Sequence, residues 1–422
     1  MYRETVERLL LEDHAEGDYL YPASEYRISN VPESALSVLD DSFDRLLPGD
    51  VFDGVSTDVD NVLFLVLDGY GFDCWKRDHR DDPFLERLTD GATVTPLTSI
   101  YPSETAAALT TLHTGLEPTK HGLLGWYQYL ESVGEDVVTL PFTTLNGDPL
   151  TEVAPDAEAR NLFEGDSLSI RAAEAGIDAH AILPEAYVDS GYSRAVTAGA
   201  ERTGYDTVAD FAHVLRRVLE DASEPTFIHA YQPTLDEISH VEGTRTDRYR
   251  ANLASIADSL RRELVEELES ETAERTLFVL TADHGIVNTI PGENVDLVSR
   301  EWWPALEEMF RRDADGSPRL PTGSPRNTHF HVRPDRLEDA LTLLEEGIDG
   351  RVFTRAAALE RGLFGSDAPS ELFEQRCGDL VAVHRNLGLC WHDRDREMVG
   401  MHGGLTREEM LVPLVIGRLD AL

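Results

Sequence analysis

Two apolar segments of the sequence are each followed at once by an aspartate. Residues 276–282 lead into Asp283-His284-Gly285, and residues 61–67 lead into Asp68-Gly69. Short β-prone runs of this kind are typical of strands buried on both faces of a parallel sheet. Ligands of open α/β sheets bind beyond the carboxyl ends of the strands, so these side chains could hold a divalent metal. Each motif taken alone is more typical of an ordinary turn.

Two further sets of ligand-type side chains lie beside apolar segments. The segment 226–231 is followed by Asp236 and His240, which are four residues apart. If this stretch is helical they lie on one face and could share a metal, although a surface contact is the commoner use of such a pair. His402 stands in a glycine-rich loop before the apolar strand 411–416. Glycine lets the backbone bend and present the imidazole at a site.

Thr105 is a candidate nucleophile. Tyr101-Pro102 favours an extended backbone, and the alanine-rich run after Thr105 favours a helix. Ser103 or Thr105 is therefore expected near a helix N-terminus, where free N–H groups and the helix dipole favour an anion. Helix capping is the common role of such a hydroxyl, and a metal-activated attack on phosphorus is the functional alternative. The two roles are compatible in geometry.

The candidate ligands carry only oxygen and nitrogen donors. They are Asp68, Asp236, His240, Asp283, His284 and His402. Three carboxylates and three histidines suit two ions with zinc-like coordination and leave room for a substrate. Two metals about 3.5–4 Å apart suit in-line displacement at phosphorus.

The motifs that carry these residues resemble, in their order, the alkaline phosphatase superfamily and within it the type I phosphodiesterase/nucleotide pyrophosphatase branch. The resemblance covers residues 60–290 and 398–417. The motifs are Leu67-Asp68-Gly69, Pro102-Ser103-Glu104-Thr105, Asp236-x-x-x-His240, Asp283-His284-Gly285 and His402-Gly403. Each motif is weak alone, but five in the expected order are specific.

The resemblance implies a role for each candidate. Asp236, His240 and His402 would hold one zinc ion, and Asp68, Asp283 and His284 would hold the other, with manganese as an alternative metal. Thr105 would bridge toward the second ion and form a phospho-threonine intermediate that is then hydrolysed. The implied activity is a phosphodiesterase or nucleotide pyrophosphatase acting on a small phosphorylated or nucleotide-like substrate.

One position departs from the family. Trp126 stands where the family usually has an asparagine that helps the nucleophile, which puts the usual phosphoryl-oxygen contact in doubt. Trp126 could stack on a base or aryl leaving group, or fill the core. We predict Trp126 and Tyr231 as substrate contacts.

Other functions of the same fold remain alternatives. The sulfatase branch has a Cys or Ser followed by Pro and Arg at the nucleophile, and Ser103-Glu104-Thr105-Ala106 lacks that pattern. A phosphomonoesterase or phosphomutase of the superfamily stays possible. So does a non-catalytic member that binds a metal or a phosphorylated ligand.

These elements predict an α/β fold with a mostly parallel central sheet flanked by helices and a smaller inserted cap subdomain. We expect residues 1–58 to be an N-terminal helical lead-in and 59–290 to form the alkaline phosphatase-like core. Residues 291–395 are expected to form the cap or insertion, because prolines interrupt them and strong sheet strands are lacking. Residues 396–422 complete the core and carry the last ligand loop.

Three other histidines are interpreted as structural. His329 and His331 alternate in a segment that reads as a half-exposed strand of the cap, which we prefer to a metal pair. His121 is expected to be a plain loop histidine.

The charge balance is strongly acidic. The 422 residues include 79 acids and 37 bases, for a formal net charge of −42, and only two of the bases are lysines. This composition resembles proteins of extreme halophiles, and folding is expected to need salt to screen self-repulsion. Such a surface repels nucleic-acid polymers and anionic membranes, which excludes both as general partners. The sequence predicts no oligomeric state.

The remaining composition is that of an intracellular globular protein. The three cysteines have no CxxC spacing, which argues against a disulfide framework and a thiolate zinc site. The first residues are charged, and no segment has the apolar length of a membrane span. We therefore expect a cytoplasmic protein without a signal peptide.

Overall fold

The computed structural model describes residues 2–313 and 315–422, and it contains two seven-stranded sheets. In chain order, their strands are β1 (Asn61–Leu67), β2 (Thr93–Thr98), β3 (Tyr127–Leu130), β4 (Glu135–Val138), β5 (Thr143–Thr144), β6 (Asp178–Pro184), β7 (Glu201–Tyr205), β8 (Thr226–Gln232), β9 (Thr276–Thr281), β10 (Thr322–Ser324), β11 (Asn327–Phe330), β12 (Gly350–Thr354), β13 (Leu380–His384) and β14 (Leu411–Arg418).

Helices separate the strands of both sheets along the chain. They are α1 (Glu4–His14), α2 (Val31–Leu36), α3 (Phe72–Asp78), α4 (Pro83–Gly91), α5 (Thr105–Thr114), α6 (Pro118–His121), α7 (Leu150–Val153), α8 (Leu168–Glu174), α9 (Glu185–Val188), α10 (Gly191–Val196), α11 (Val208–Asp221), α12 (Thr234–Glu242), α13 (Asp247–Leu260), α14 (Ser270–Glu274), α15 (Trp303–Glu307), α16 (Leu337–Gly347), α17 (Arg355–Glu360), α18 (Glu371–Arg376) and α19 (Arg407–Met410). Short pairs of strands join 15–16 to 19–20, 287–288 to 400–401, and 295–296 to 389–390.

The central sheet has the strand order β2-β14-β9-β1-β8-β6-β7. Strands β9, β1, β8, β6 and β7 pair in parallel, whereas β14 runs antiparallel to both β9 and β2. Every residue of β1, β8 and β9 is buried, as expected for strands covered by helices on both faces. The predicted fold class, a mostly parallel central sheet flanked by helices, is therefore confirmed.

The register of this sheet brings several chain segments to one edge. Leu67 at the end of β1 lies opposite Gln232 of β8, and Val66 lies opposite Thr281 of β9. The segments that follow these three strands therefore leave the sheet side by side. Leu411 pairs with Thr98, so the loop before antiparallel β14 and the loop after β2 lie at this same edge.

The second sheet is antiparallel and has the order β12-β13-β11-β10-β3-β4-β5. It combines strands from residues 127–144 with strands from 322–384, and it packs on its own apolar cluster around Phe310, Phe330 and Leu380. Residues of α1 and α2, in contrast, belong to the core of the central sheet. The four domain limits drawn from the sequence stay a prediction.

The expectation of a half-exposed strand at His329 and His331 is wrong. All four residues of β11 are buried, and His331 directly after it is buried as well. His329 Nδ1 accepts a hydrogen bond from the Gly378 N–H at 3.0 Å, and His331 Nε2 lies 3.0 Å from Thr322 Oγ1. Alternating polar residues usually indicate a strand with one solvent-exposed face. Here both histidines are buried, because their imidazoles have hydrogen-bond partners in the interior.

Two expectations from composition concern the cysteines and membrane spans. The three cysteines are free and buried. Within residues 2–313 and 315–422, no helix has both the length and the apolar character needed to cross a membrane.

Asp136 on β4 gives a prediction for stability. Burial and, after it, the neighbouring Asp313 raise the pKa of Asp136 from its ordinary value of 3.8 to about 7. A raised carboxyl pKa means that this group stabilises the fold at low pH, and that the contribution is lost as the pH rises through about 7. We expect Asp136→Asn to raise the free energy of unfolding at pH 8 by about 1–3 kcal/mol, and by much less at pH 4.

Denaturant unfolding at the two pH values, in constant high salt, measures this effect. The control is Glu131→Gln, which neutralises an exposed acid just after β3 that is not among the groups shifting the pKa of Asp136. An equal gain from Asp136→Asn at both pH values would contradict the prediction.

Candidate active site

The loops at the shared edge of the central sheet bring the predicted ligands together. Asp68 follows β1, and Asp283 and His284 follow β9. Asp236 and His240 lie four residues apart on α12, which begins shortly after β8, and His402 lies in the loop before α19 and β14. Gly403 in that loop has a φ of +113°, and a Cβ atom there would lie 2.8 Å from Ser324 Oγ. This backbone turn therefore requires glycine.

Asp236, His240 and His402 form the first ligand group. His240 Nε2 lies 2.9 Å from Asp236 Oδ2, and His402 Nε2 lies 3.6 Å from Asp236 Oδ1. The two Nε2 atoms of His240 and His402 are 3.3 Å apart. Donor atoms of all three side chains therefore lie close together.

Asp68, Asp283 and His284 form the second ligand group. His284 Nε2 lies 3.5 Å from Asp68 Oδ1 and 3.3 Å from Asp283 Oδ2. One donor atom from each residue lies within 4.8 Å of the others, which is close enough for all three to contact one ion. All three side chains are almost fully buried.

His284 connects the two groups and reaches the candidate nucleophile. Its ring stacks on the ring of His402 with centroids 3.8 Å apart, and it also lies within ligand distance of Asp236 and His402. Its Nε2 atom lies 3.0 Å from Thr105 Oγ1. Thr105 is the first residue of α5, so its hydroxyl stands at a helix N-terminus beside His284.

The donor atoms of both groups suit divalent cations. Within the part of the chain that the structure describes, Asp68 Oδ1, Asp236 Oδ1 and Asp283 Oδ2 are buried without a hydrogen-bond partner. His240 Nδ1 donates to the Gly400 carbonyl at 2.9 Å, and His284 Nδ1 donates to the Gly285 carbonyl at 3.1 Å. These bonds turn each Nε2 atom toward the carboxylates, the arrangement by which outer partners orient metal-ligating histidines.

The carboxylates strongly perturb one another's ionisation. Burial, and then repulsion from Asp283 and Asp236, raises the pKa of Asp68 well above its usual value. Burial also raises the pKa of Asp283. Burial disfavours the charged forms of Asp236 and His240 too, but their mutual attraction outweighs it, lowering the pKa of Asp236 and raising that of His240 to about 9. A divalent cation at this place would relieve the repulsion among the three acids.

A cavity of about 610 Å³ opens onto the ligand groups. Asp68, Thr105, Asp236 and His402 line its inner end. The second sheet and the loop after it form another wall, which includes Trp126. This volume is in the range of pockets that hold a small organic ligand, so a substrate much larger than phosphate fits next to Thr105.

Comparison with known proteins identifies the family. The model of the family described as type I phosphodiesterase / nucleotide pyrophosphatase matches residues 62–405. The chain belongs to this family. It is a phosphoric ester hydrolase of the phosphodiesterase/pyrophosphatase type. A search of curated proteins found no match.

Solved structures share the fold of this chain at low sequence identity. An inactive variant of murine ectonucleotide pyrophosphatase/phosphodiesterase 5 in complex with AMP has a TM-score of 0.61 and 14% identity, over 85% of this chain and 89% of that chain. Phosphonoacetate hydrolase from Sinorhizobium meliloti 1021 in complex with phosphonoformate has a TM-score of 0.60 and 17% identity, over 86% and 94% of the two chains. At these identities the likeness shows the fold alone.

The two predicted substrate contacts, Trp126 and Tyr231, lie at the cavity. Tyr231 lines it and donates a hydrogen bond from its hydroxyl to Asp68 Oδ2, so its polar atom is directed to a ligand side chain. Trp126 lines the cavity while packing against the apolar cluster of the second sheet. Both interpretations of Trp126, a stacking surface and a core residue, thus fit its position.

A buried ion pair beside the His402 loop, Arg326 with Glu409, was not predicted from the sequence. Arg326 Nη2 lies 2.6 Å from Glu409 Oε2, and both side chains are fully buried. Glu409 Oε1 accepts from the Gly404 N–H at 2.9 Å, so the pair supports the loop that presents His402. The two residues are 83 positions apart, and no local pattern joins them.

His121 is also structural rather than a residue of the active site. It is the last residue of α6, and it is buried. Its Nε2 atom lies 3.0 Å from Thr111 Oγ1, and its Nδ1 atom accepts from the Leu123 N–H at 3.1 Å. Its position at a helix end, instead of in a loop, explains this pairing.

Proposed function

We propose that this family member hydrolyses phosphodiesters through a phospho-threonine intermediate on Thr105, with two bound divalent ions, Zn²⁺ in the first instance. The observation that carries the proposal is the position of Thr105 Oγ1, 3.0 Å from Nε2 of His284, a side chain that lies within ligand distance of Asp68 and Asp283 and also of Asp236 and His402. The proposal assigns Asp236, His240 and His402 to one ion. It assigns Asp68, Asp283 and His284 to the other, with Thr105 adjacent.

The surroundings of Thr105 support a reaction with an anionic substrate. Thr105 begins α5, so the positive end of the helix dipole faces a phosphoryl group bound at its hydroxyl. Bound divalent ions supply Lewis-acid chemistry, which lowers the pKa of a nearby hydroxyl and offsets charge on phosphoryl oxygens. Burial of Asp68, Asp283 and His284 excludes water from one side of the reacting group.

The proposed reaction has two steps at Thr105. Its oxygen forms a bond to phosphorus while the bond from phosphorus to one ester oxygen breaks, and the first alcohol leaves with a proton. Water then attacks the phosphoryl group on Thr105, which releases the phosphate monoester of the second alcohol and restores the hydroxyl. Double displacement of this kind divides one difficult substitution into two easier ones.

The solved structure of an inactive variant of murine ectonucleotide pyrophosphatase/phosphodiesterase 5 contains AMP, a phosphate monoester that a diester could release. The cavity of about 610 Å³ also favours a diester over a monoester, because a second ester group finds room beside the ligand groups. Binding of that group can be used to orient the phosphorus for attack.

Hydrolysis of bis(p-nitrophenyl) phosphate and p-nitrophenyl phosphate by the zinc-loaded protein in high salt tests the proposal. We expect kcat/KM for the diester to exceed that for the monoester by at least about tenfold, because the second aryl group is bound in the cavity. Removal of metal with a chelator is expected to abolish turnover, and zinc or manganese to restore it. Faster turnover of the monoester would indicate a phosphomonoesterase, and no turnover of either ester would contradict an enzymatic function.

A further inference from the structure

One face of α5 forms a wall of the cavity that leads away from the candidate nucleophile. Thr105, Leu109 and His113 all line the cavity. They are four residues apart, so they lie one above the other on a single helix face. Eight residues at 1.5 Å per residue span about 12 Å. A phosphoester at Thr105 therefore has a channel of this length beside it, which we name the α5 channel.

The side of the cavity formed by α10 and the end of β6 adds apolar surface to the α5 channel. Leu183 and Val196 contribute aliphatic side chains to the lining. Tyr192 also lines the cavity, and its hydroxyl lies 2.8 Å from Thr110 Oγ1. Because this hydroxyl is already paired with α5, Tyr192 contributes mainly its ring. The channel therefore favours an apolar substituent.

The charges around the cavity disfavour a second phosphate. Among the described residues that line it, Arg326 is the one arginine or lysine. Its guanidinium donates to both carboxylate oxygens of Glu409 and to the carbonyls of His384 and Leu387. Four of its five N–H groups are therefore used inside the protein, and its side chain is fully buried. The acids that line the cavity are Asp68, Glu104, Asp236, Glu237 and Asp395.

His113 lies at the far end of the α5 channel and is buried. Its ring stacks on the ring of His229 with centroids 3.8 Å apart. Among the described residues, burial is the only influence on the pKa of His113, with no hydrogen bond contributing, and His229 Nε2 is buried without a hydrogen-bond partner. Burial lowers the pKa of His113 to about 3, so the imidazole is neutral at physiological pH. A neutral imidazole can pair with an uncharged group, such as a hydroxyl, at the end of a bound chain.

We propose that the α5 channel selects phosphodiesters with a single phosphate, one ester group of which is a long, apolar, uncharged chain ending in a hydroxyl or a similar uncharged group. This inference rests on the proposed function for the position of the phosphate at Thr105. The apolar walls bind the chain, His113 pairs with its far end, and the absence of a free lining cation excludes substrates that carry a second phosphate in the channel.

Calorimetry of four probes binding to the zinc-loaded protein tests this inference. The probes are the methyl, octyl, 8-hydroxyoctyl and 8-phosphooctyl esters of methylphosphonate. We expect the octyl ester to bind at least about tenfold more tightly than the methyl ester, because several methylene groups become buried. The 8-phosphooctyl ester is expected to bind at least about tenfold more weakly than the octyl ester, because its terminal phosphate meets acids without a cation.

The role of His113 is tested by the ratio of the affinities for the 8-hydroxyoctyl and octyl esters, because a change in overall stability affects both affinities alike. We expect His113→Leu to lower the preference for the 8-hydroxyoctyl over the octyl ester by about fivefold, which corresponds to one lost hydrogen bond. The matched control is His121→Leu, which removes a buried imidazole paired with the same helix but outside the cavity lining. This control is expected to keep the wild-type ratio.

Three results would overturn the inference: equal affinity for the methyl and octyl esters, tighter binding of the 8-phosphooctyl ester, or an unchanged ratio in His113→Leu. Turnover of bis(p-nitrophenyl) phosphate by the same preparation separates this inference from the proposed function. A protein that shows the expected binding order but hydrolyses no diester supports the channel and contradicts the proposed function. A protein that hydrolyses diesters without any dependence on chain length contradicts the channel alone.

Discussion

Thr105→Ala is expected to lower kcat for bis(p-nitrophenyl) phosphate by at least about 10³-fold while leaving the metal content of the protein intact. The reason is that Thr105 Oγ1 lies 3.0 Å from His284 Nε2, whereas the six candidate carboxylate and imidazole ligands remain in place. Rates measured with metal analysis of the same samples give the result. Thr105→Ser keeps a hydroxyl at this position and should retain part of the activity.

Thr111 offers a matched control on the same helix. Its Oγ1 atom lies 3.0 Å from an imidazole Nε2, that of His121, as Thr105 Oγ1 lies 3.0 Å from His284 Nε2. Both threonines are buried in α5. Thr111→Ala is therefore expected to reduce stability without the loss of kcat. Equal losses in the two variants would mean that Thr105 acts through the packing of α5, and the nucleophile would have to be sought elsewhere.

The close placement of the candidate ligands could be predicted from the sequence because several of them lie just after the ends of strands. Strands β1, β8 and β9 are continuous apolar runs, which is the pattern of buried parallel strands, and a polar residue marks where each one ends. Parallel strands in register end at one edge, so local signals such as Asp68 and Asp283 predict a joint location.

The second sheet could not be predicted in the same way because its strands pair with partners that are distant in the sequence. Strand β10 has three residues and contains a glycine, yet it joins β3, nearly 200 positions earlier in the chain, through the pairing of Gly323 with Tyr127. Strands of this length carry no usable periodicity. Buried polar residues such as His329 also make the buried face of a strand hard to recognise in the sequence, because their hydrogen-bond partners come from distant parts of the chain.

The cavity lining escaped prediction for a related reason. Leu109 and His113 read as an ordinary helix interior in the sequence, and only the structure shows that one face of α5 lines a cavity whose walls include residues of α9 and α10. The sequence predicts the helix α5, but it does not indicate which face of that helix lines a cavity. The Trp126 position, in contrast, could be located from the motif, although its role depends on the second sheet.

Arg326→Met and Glu409→Gln are each expected to lower the free energy of unfolding by about 3–5 kcal/mol, because each variant leaves a buried polar partner without its counterpart. Arg326 Nε and Nη2 donate to the two oxygens of Glu409 at 2.9 and 2.6 Å, and both side chains are fully buried. The control is Arg171→Met. Arg171 makes a similar two-point contact with Glu33, but its side chain is 45% exposed, so a loss of no more than about 1 kcal/mol is expected.

The same pair has a pH signature. Burial would raise the pKa of Glu409, but Arg326 outweighs burial and lowers it below its ordinary value of 4.5. A lowered carboxyl pKa contributes stability that is present above about pH 4.5 and is lost as the pH falls through the folded-state pKa. Denaturant unfolding between pH 7 and pH 3 should therefore show less acid-dependent loss in Glu409→Gln than in the wild type.

The effect of this pair should extend from stability to the active site. Glu409 accepts hydrogen bonds from the Gly404 N–H and from both the N–H and the hydroxyl of Thr406, so it fixes the loop that carries His402. Loss of such an outer partner typically weakens metal binding by about 10–100-fold. Zinc affinity of the folded Glu409→Gln protein, measured by competition with a chelator, tests this link. If zinc affinity is unchanged while stability falls, the pair holds the second sheet to the core but does not position His402.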